Sequence, residues 1–391
     1  MHPVYLDYQA TTPTDEKVLK KMLPFFTKEF GNPHSISHVF GTKANKSIED
    51  ARVLVSDNIG AKPSEVVFTS GATESNNLAL KGVVNYRSKY DQRSEITIVC
   101  TEHKCVIEAA NKLSSGGIKV NIINVDNLGL IDLEQLSKSL SDKVALLSVM
   151  AANNEIGVIQ PLKEISNLCR KYGVWLHTDA AQAIGNIRID VNELGIDLMS
   201  ISGHKIYGPK GVGALYFRRR PRVRLVAEID GGGQEKLIRS GTVSTPLVVG
   251  LAEAIKLSYE NFDYNKKHIM ILRNKLYKKL QNSISNININ GPSFEDDNLR
   301  LHNNINISIG GVDAAELVRE LGNKVAFSNG SACSTGDVEP SYVLKGIGLS
   351  DELAMSSVRI SIGRTTSLEE VEYAAQMISE KVELLRKSVE E

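Results

Sequence analysis

A chain of 391 residues is long enough for two or three compact units and for a core that needs no staples. With 42% hydrophobic and 24% charged residues, and 46 basic against 46 acidic side chains, it is neither disordered nor fibrous, and no excess charge points to nucleic acid. Four cysteines with no CxxC pair and no His/Cys cluster at zinc spacing speak against a disulfide framework or a structural metal and for a reducing, cytoplasmic setting. The opening residues MHPVYLDYQATTP have no leader pattern, and no apolar run nears the ~20 residues of a membrane span.

Along the chain, short β-branched runs alternate with helix-length amphipathic stretches. EVVFTS precedes a helix from Thr73 to about Tyr86, EITIVCT a helix from Lys104, IKVNIINV the helix LEQLSKSL, and KVALLSVM the helix PLKEISNLCRKY; GVWLHTD is followed by IDLMSIS. This rhythm predicts an α/β fold with a mostly parallel sheet flanked by helices. After Tyr259 the pattern changes to a long helix, NKKHIMILRNKLYKKL, a polar stretch, the strand-like NINISIG, and a last helix opened by a Ser-x-x-Glu capping box at Ser367. A smaller α+β domain is expected there, giving a large domain over 15–260 and a small one over 1–14 plus 261–391.

Ligands of open α/β sheets bind beyond the carboxyl ends of the strands, and several polar residues fall there. Thr73, after a Gly turn at a helix start, reads first as a plain N-cap and only second as an anion ligand. His103 follows a strand; the pair Asn153–Asn154 reads as ligand or turn former; Asp179 reads as a site acid or a cap. The most informative stretch is SGHKIYGPKGVGALYF, with Ser202, His204 and Lys205 between turn-forming glycines in apolar surroundings. A partly desolvated lysine is the group that forms imines with carbonyls. Together these residues suit an aldehyde cofactor with a pyridine ring and a phosphate. Lys205 would form the imine, Asp179 meet the ring nitrogen, His103 stack on the ring, and Thr73, Ser202 and His204 cradle the phosphate.

Cys333 lies in AFSNGSACSTGDVEPSY, whose composition predicts a long mobile loop with an exposed, reactive thiol. Cys100 and Cys169 read as buried small hydrophobes, and Cys105 as structural. Arg359 sits in a strand pattern, where a guanidinium is costly to bury unless it grips a carboxylate. The run Arg218, Arg219, Arg220, Arg222 and Arg224 reads as a solvated strand end or turn.

With YLDYQATTP, FTSGATESNNLALKG, TEHK, NNEIG, HTDAAQ, SGHKIYGPKGVGALY, GGGQE, RSGT, GSAC and SSVRISIGR in this order, the sequence resembles the cysteine desulfurases of the class V aminotransferase family, in the IscS/NifS-like group. The resemblance implies a fold-type I enzyme that uses pyridoxal 5'-phosphate to convert L-cysteine to L-alanine. Its sulfur passes as a persulfide on Cys333 to iron–sulfur cluster assembly, with tRNA thiolation as a further destination. It implies that Lys205 holds the cofactor and moves the substrate's Cα proton, that His103 stacks and assists, and that Asp179 meets the ring nitrogen. Gln182 contacts the phenolic oxygen; Ala72, Thr73, Ser202 and His204 bind the phosphate; Asn154 and Arg359 hold the substrate carboxylate. Thr242 reaches the phosphate of a neighbouring subunit, which implies a homodimer, with an iron–sulfur scaffold protein as sulfur acceptor and neither DNA nor membrane as partner. CSTGDVEPSY departs from the group's usual stretch after the nucleophile, and LRKSVEE stands where relatives generally continue into a scaffold-binding tail. Two rivals are an aminotransferase or β-lyase of the same fold, which needs no Cys333, and a catalytically silent scaffold subunit, which needs none of the site.

Overall fold

The computed structural model describes residues 3–329, 331–334 and 337–390, with side chains over 3–329 and 339–388. After the short β1 (Val4–Tyr5) come the strands of the main sheet: β2 (Val66–Thr69), β3 (Glu95–Val99), β4 (Lys119–Ile123), β5 (Val144–Ser148), β6 (Trp175–Asp179), β7 (Leu198–Ser202) and β8 (Gly213–Phe217). Their spatial order is β2-β8-β7-β6-β5-β3-β4. β3 to β7 are mutually parallel, while β8 runs against both of its neighbours, β7 and β2. The connection 203–212 is ten residues long. A parallel return takes about a dozen residues or more, so so short a link lets β8 come back only antiparallel. Two reversals leave β2 pointing the same way as β7, and the carboxyl ends of β2, β3, β5, β6 and β7 therefore share one edge.

Alternation along the strands divides the apolar side chains between two faces. Val66, Phe68, Ala214 and Tyr216 pack on one side with the helices Val39–Asn58, Leu162–Tyr172 and Thr245–Glu260, whereas Val67, Leu215 and Phe217 pack on the other with Ala72–Tyr90 and Lys104–Ser115. The helices carry their own stops. Gly173, at φ 64°, ends Leu162–Tyr172 in the left-handed conformation that a side chain resists.

The later part of the chain has a separate apolar core, in which Val4 and Leu6 join Leu276, Ile307, Val358 and Ile378. Its sheet consists of β9 (Ile287–Ile289), β10 (Asn304–Ile309), β12 (Ser328–Asn329) and β15 (Ser357–Ser361), all antiparallel, while β11 (Val325–Ala326) pairs with β1. The capping box of the last helix, Leu368–Glu390, is realised in both directions: the Ser367 N–H donates to Glu370 Oε2 at 2.7 Å and the Glu370 N–H to Ser367 Oγ at 3.2 Å.

The stretch around Cys333 differs from the expected loop. β13 (Ser331–Ser334) and β14 (Asp337–Pro340) form an antiparallel ladder in which Cys333 pairs with Val338. Gly and Asn are weak strand formers, so the composition reads as loop even where two segments pair in a ladder. The Cys333 side chain lies outside the described residues.

Candidate active site

At the shared strand edge opens a cavity of about 640 Å³. Ala72, Thr73, His103, Asn154, Asp179, Gln182, Ser202, His204, Lys205 and Arg359 all line it. Thr242 does not; it is exposed, one residue beyond Gly241 at φ 113°.

Lys205 closes a single 3-10 turn, Gly203–Lys205, directly after β7. The turn requires glycine on both sides: a Cβ on Gly203 would meet the Pro209 carbonyl oxygen, and one on Gly208 the Gly203 carbonyl oxygen, each at 2.8 Å. Lys205 Nζ donates to the carbonyl oxygens of Gln9 and Ala10, both at 2.7 Å. Burial pushes its pKa down to about 8, with Arg359 acting in the same direction and Asp179 and Asp7 against it. Asp179, at the end of β6, is 4% exposed. Its Oδ2 accepts from Asn76 Nδ2 at 2.7 Å and its Oδ1 from the Ala181 N–H at 2.9 Å. No helix follows Asp179, so it holds a turn rather than capping a helix. Gln182 Nε2 donates to the Gln9 carbonyl at 2.9 Å.

The helix Ala72–Tyr90 begins at Gly71, not at a threonine cap: Gly71 is the N-cap, at φ 150°, and no side chain caps the helix there. The Gly71 Cβ position has nothing within 4 Å, which leaves open space before the first-turn amides. His204 Nδ1 lies 3.1 Å from Thr11 Oγ1, and burial, with Lys205 beside it, pushes its pKa down to about 4. His103 caps Lys104–Ser115, its Nδ1 accepting the Cys105 N–H at 3.2 Å. Its ring stands at the exposed rim, and desolvation by the packed surroundings lowers its pKa, opposed by Asp179.

Arg359 is held from three sides. Nη2 donates to Asp7 Oδ1 at 2.7 Å and to Ser328 Oγ at 3.0 Å, and Nη1 to the Asn154 carbonyl at 3.0 Å. Its Nε is buried and has no partner among the described residues, a donor left over for a carboxylate.

The cysteines part company with expectation at Cys100. Cys169 is buried, but Cys100 is only half-buried, and Cys105 lines the cavity, with its Sγ 3.0 Å from His103 Nδ1 and 3.1 Å from Asn76 Nδ2. Burial and the Asp179 charge push the Cys105 thiol up to about 11, so it stays protonated. The arginine run is not uniformly solvated either. Arg218 is buried and donates to the Val191 and Ile196 carbonyls, because Asp197 at 3.3 Å and those carbonyls replace its water.

Residues that motif reading did not pick out complete the site: Asp7 for Arg359, Gln9 under Lys205, and Asn76 for Asp179. Glu102, fully buried, accepts the Met150 N–H at 2.7 Å, and burial raises its pKa well above the carboxylate range. No group of three or more His, Cys, Asp or Glu able to hold a metal occurs among the described residues.

A family model described as aminotransferase class-V matches residues 4–374. The chain belongs to that family. It is 49% identical over 384 residues to a protein of Rickettsia felis named cysteine desulfurase IscS, covering 98% of this chain and 92% of that one. A solved structure described as a NifS-like protein superposes with a TM-score of 0.90 at 36% identity over 98% of this chain and all of the other. A NifS-like protein from Rickettsia africae does so at 0.85 and 33% identity, over 98% of this chain and 99% of its own. The mostly parallel sheet with its smaller antiparallel partner is thus the fold-type I architecture, in the IscS/NifS-like group.

Proposed function

We propose that this protein is a cysteine desulfurase that binds pyridoxal phosphate, converts L-cysteine to L-alanine and keeps the sulfur as a persulfide on Cys333. It would act as a cytoplasmic homodimer and pass the sulfur to an acceptor such as an iron–sulfur scaffold. The observation that carries this reading is the convergence of a lysine with a lowered pKa, a held carboxylate, an uncapped helix start and a guanidinium with a spare donor on one cavity.

The residues present fit the cofactor. Lys205 would hold it, Asp179 and Gln182 meet its ring, His103 stack on it, and Ala72, Thr73, Ser202 and His204 bind its phosphate. When bound, pyridoxal phosphate supplies an electron sink for charge developing at the Cα of the amino acid. Lys205 Nζ, half free amine near pH 8, is suited to take the Cα proton. Arg359 and Asn154 would fix the substrate carboxylate, leaving its thiol to be met by Cys333. The Cys333 thiolate forms an S–S bond to the substrate sulfur as the Cβ–S bond breaks; Cβ gains the proton, so L-cysteine and a thiol become L-alanine and a persulfide with atoms balanced. We propose too that residues 15–260 hold the cofactor and that 1–14 with 261–391 carry Cys333; the separate apolar cores support this. No helix among the described residues is long and apolar enough to cross a membrane.

The purified protein with cofactor should be yellow and, with L-cysteine and a thiol reductant, release alanine and sulfide in equal amounts. Cys333→Ala should end alanine release. Undiminished alanine formation by that variant would favour a β-lyase or aminotransferase, and a protein that takes up no cofactor would favour a silent scaffold.

A further inference from the structure

β2 is the outer strand of the main sheet on the β8 side, so its outward backbone groups have no neighbouring strand. Glu235 and Arg52 cover them. Glu235 Oε2 accepts the Phe68 N–H at 2.7 Å, and Arg52 Nη1 donates to the Val66 carbonyl at 3.0 Å. The two side chains also grip each other in a fork, Nη2 to Oε1 at 2.7 Å and Nη1 to Oε2 at 2.8 Å, and both are buried, 3% and 7% exposed. The Arg52 guanidinium lies over the Phe68 ring at 4.7 Å.

The backbone beside this buried pair is strained. Glu235, Lys236 and Leu237 are consecutive non-glycine residues in the left-handed region, with φ of 45°, 61° and 66°. Strain of this kind persists only where surrounding contacts over-determine it, and it gathers at functional positions. From the strained turn the chain runs directly to Thr242, with two further ties on the way: Arg239 Nε to Glu74 Oε1 at 2.8 Å, and the Gly241 N–H to Gln234 Oε1 at 2.8 Å. Glu74 belongs to the first turn of the helix that opens on the cavity. Thr242 itself does not line the cavity of its own chain and is exposed.

We infer that the buried Arg52–Glu235 pair is a positioning device for the segment 235–242: it forces the left-handed turn that presents Thr242 outward to the phosphate-binding site of a second copy. This rests on the homodimer proposed above and on the reach of Thr242 to a neighbouring subunit's phosphate that the family resemblance implies. Glu235 touches neither cofactor nor substrate of its own subunit; it acts through Thr242.

The test uses hybrid homodimers assembled from differently tagged subunits, one of which carries Lys205→Ala, so that borohydride can fix the cofactor covalently only on the remaining Lys205. The cofactor concentration for half-maximal fixation reads that single site without turnover. With Glu235→Gln on the Lys205→Ala subunit, the half-saturation at the intact subunit's Lys205 should rise about tenfold, as for loss of one hydrogen bond to a charged group. With Glu235→Gln instead on the subunit that keeps Lys205, it should stay within about twofold of the parent hybrid by the same measure. Equal rises in both arrangements, as a general loss of packing would give, overturn the inference, and so does no rise in either. Should Glu235→Gln fail to fold by circular dichroism, Gln234→Ala cuts the same segment's tie to Gly241 without burying an unpaired charge, and the same asymmetry is required of it. Thr242→Ala in both arrangements separates the two proposals. Asymmetry with Thr242→Ala but not with the Glu235 or Gln234 variants defeats the positioning role alone, and no asymmetry with Thr242→Ala defeats the shared site and the inference together.

Discussion

Beneath the helix Ala72–Tyr90 the cavity offers first-turn amides that no side chain caps, whereas at Arg359 the binding group is already occupied by the Asp7 carboxylate, the Ser328 hydroxyl and the Asn154 carbonyl. An anion arriving at the amides displaces only water and meets donors fixed by the helix. A carboxylate arriving at Arg359 must instead use what the guanidinium has left, chiefly the buried Nε. The first end suits a group that stays bound through many turnovers, and the second a substrate that must enter and leave each time. A guanidinium locked by its own protein also cannot swing to follow a misplaced ligand, so in the proposed role Arg359 would select by orientation.

This contrast can be broken by separating the two affinities. Arg359→Lys, which loses the spare Nε donor, should raise the KM for L-cysteine by roughly 30-fold while leaving cofactor affinity within about twofold; a fall in cofactor affinity instead would mean that Arg359 does not serve the substrate. Ser202→Ala should do the reverse, raising the cofactor half-saturation by about tenfold with the KM for cysteine unchanged at saturating cofactor. A smaller and finer effect concerns Lys205, which both ends flank. Only the free amine captures an aldehyde, and burial lowers the pKa to about 8, so capture of pyridoxal phosphate by the cofactor-free protein should accelerate as pH rises through about 8 and level off above it. Stopped-flow absorbance reads this directly. Acceleration continuing past pH 10, the range of an ordinary lysine, would contradict the buried environment.

The end of the site built from short contiguous motifs was readable in the amino-acid order, and the end built by distant pairing was not. Asp179, Ser202 and Lys205 stand at strand ends, where the alternating β and α pattern alone places ligand groups. Asp7 meets Arg359 across 352 positions, and Asn76 meets Asp179 across 103, and neither has a local signature. Glu235 is the extreme case: nothing in GGGQE foretells a carboxylate on the free edge of β2, 167 positions earlier. The strand β8 was hidden differently. GALYF is an apolar run like its parallel neighbours, and only the shortness of the link before it distinguishes its direction. Around Cys333, Ser and Gly content masked a pair of antiparallel strands, because ladder pairing is a property of two segments and composition a property of one.

Intact-protein and peptide mass spectrometry after brief exposure of the cofactor-loaded protein to L-cysteine, without reductant, tests the central chemistry most directly. One added sulfur atom on Cys333, removable by a thiol reductant and absent when L-cysteine is omitted or Lys205 is replaced by alanine, is the predicted result. Alanine released in the same sample while Cys333 stays unmodified, or added sulfur confined to Cys100, Cys105 or Cys169, would contradict it.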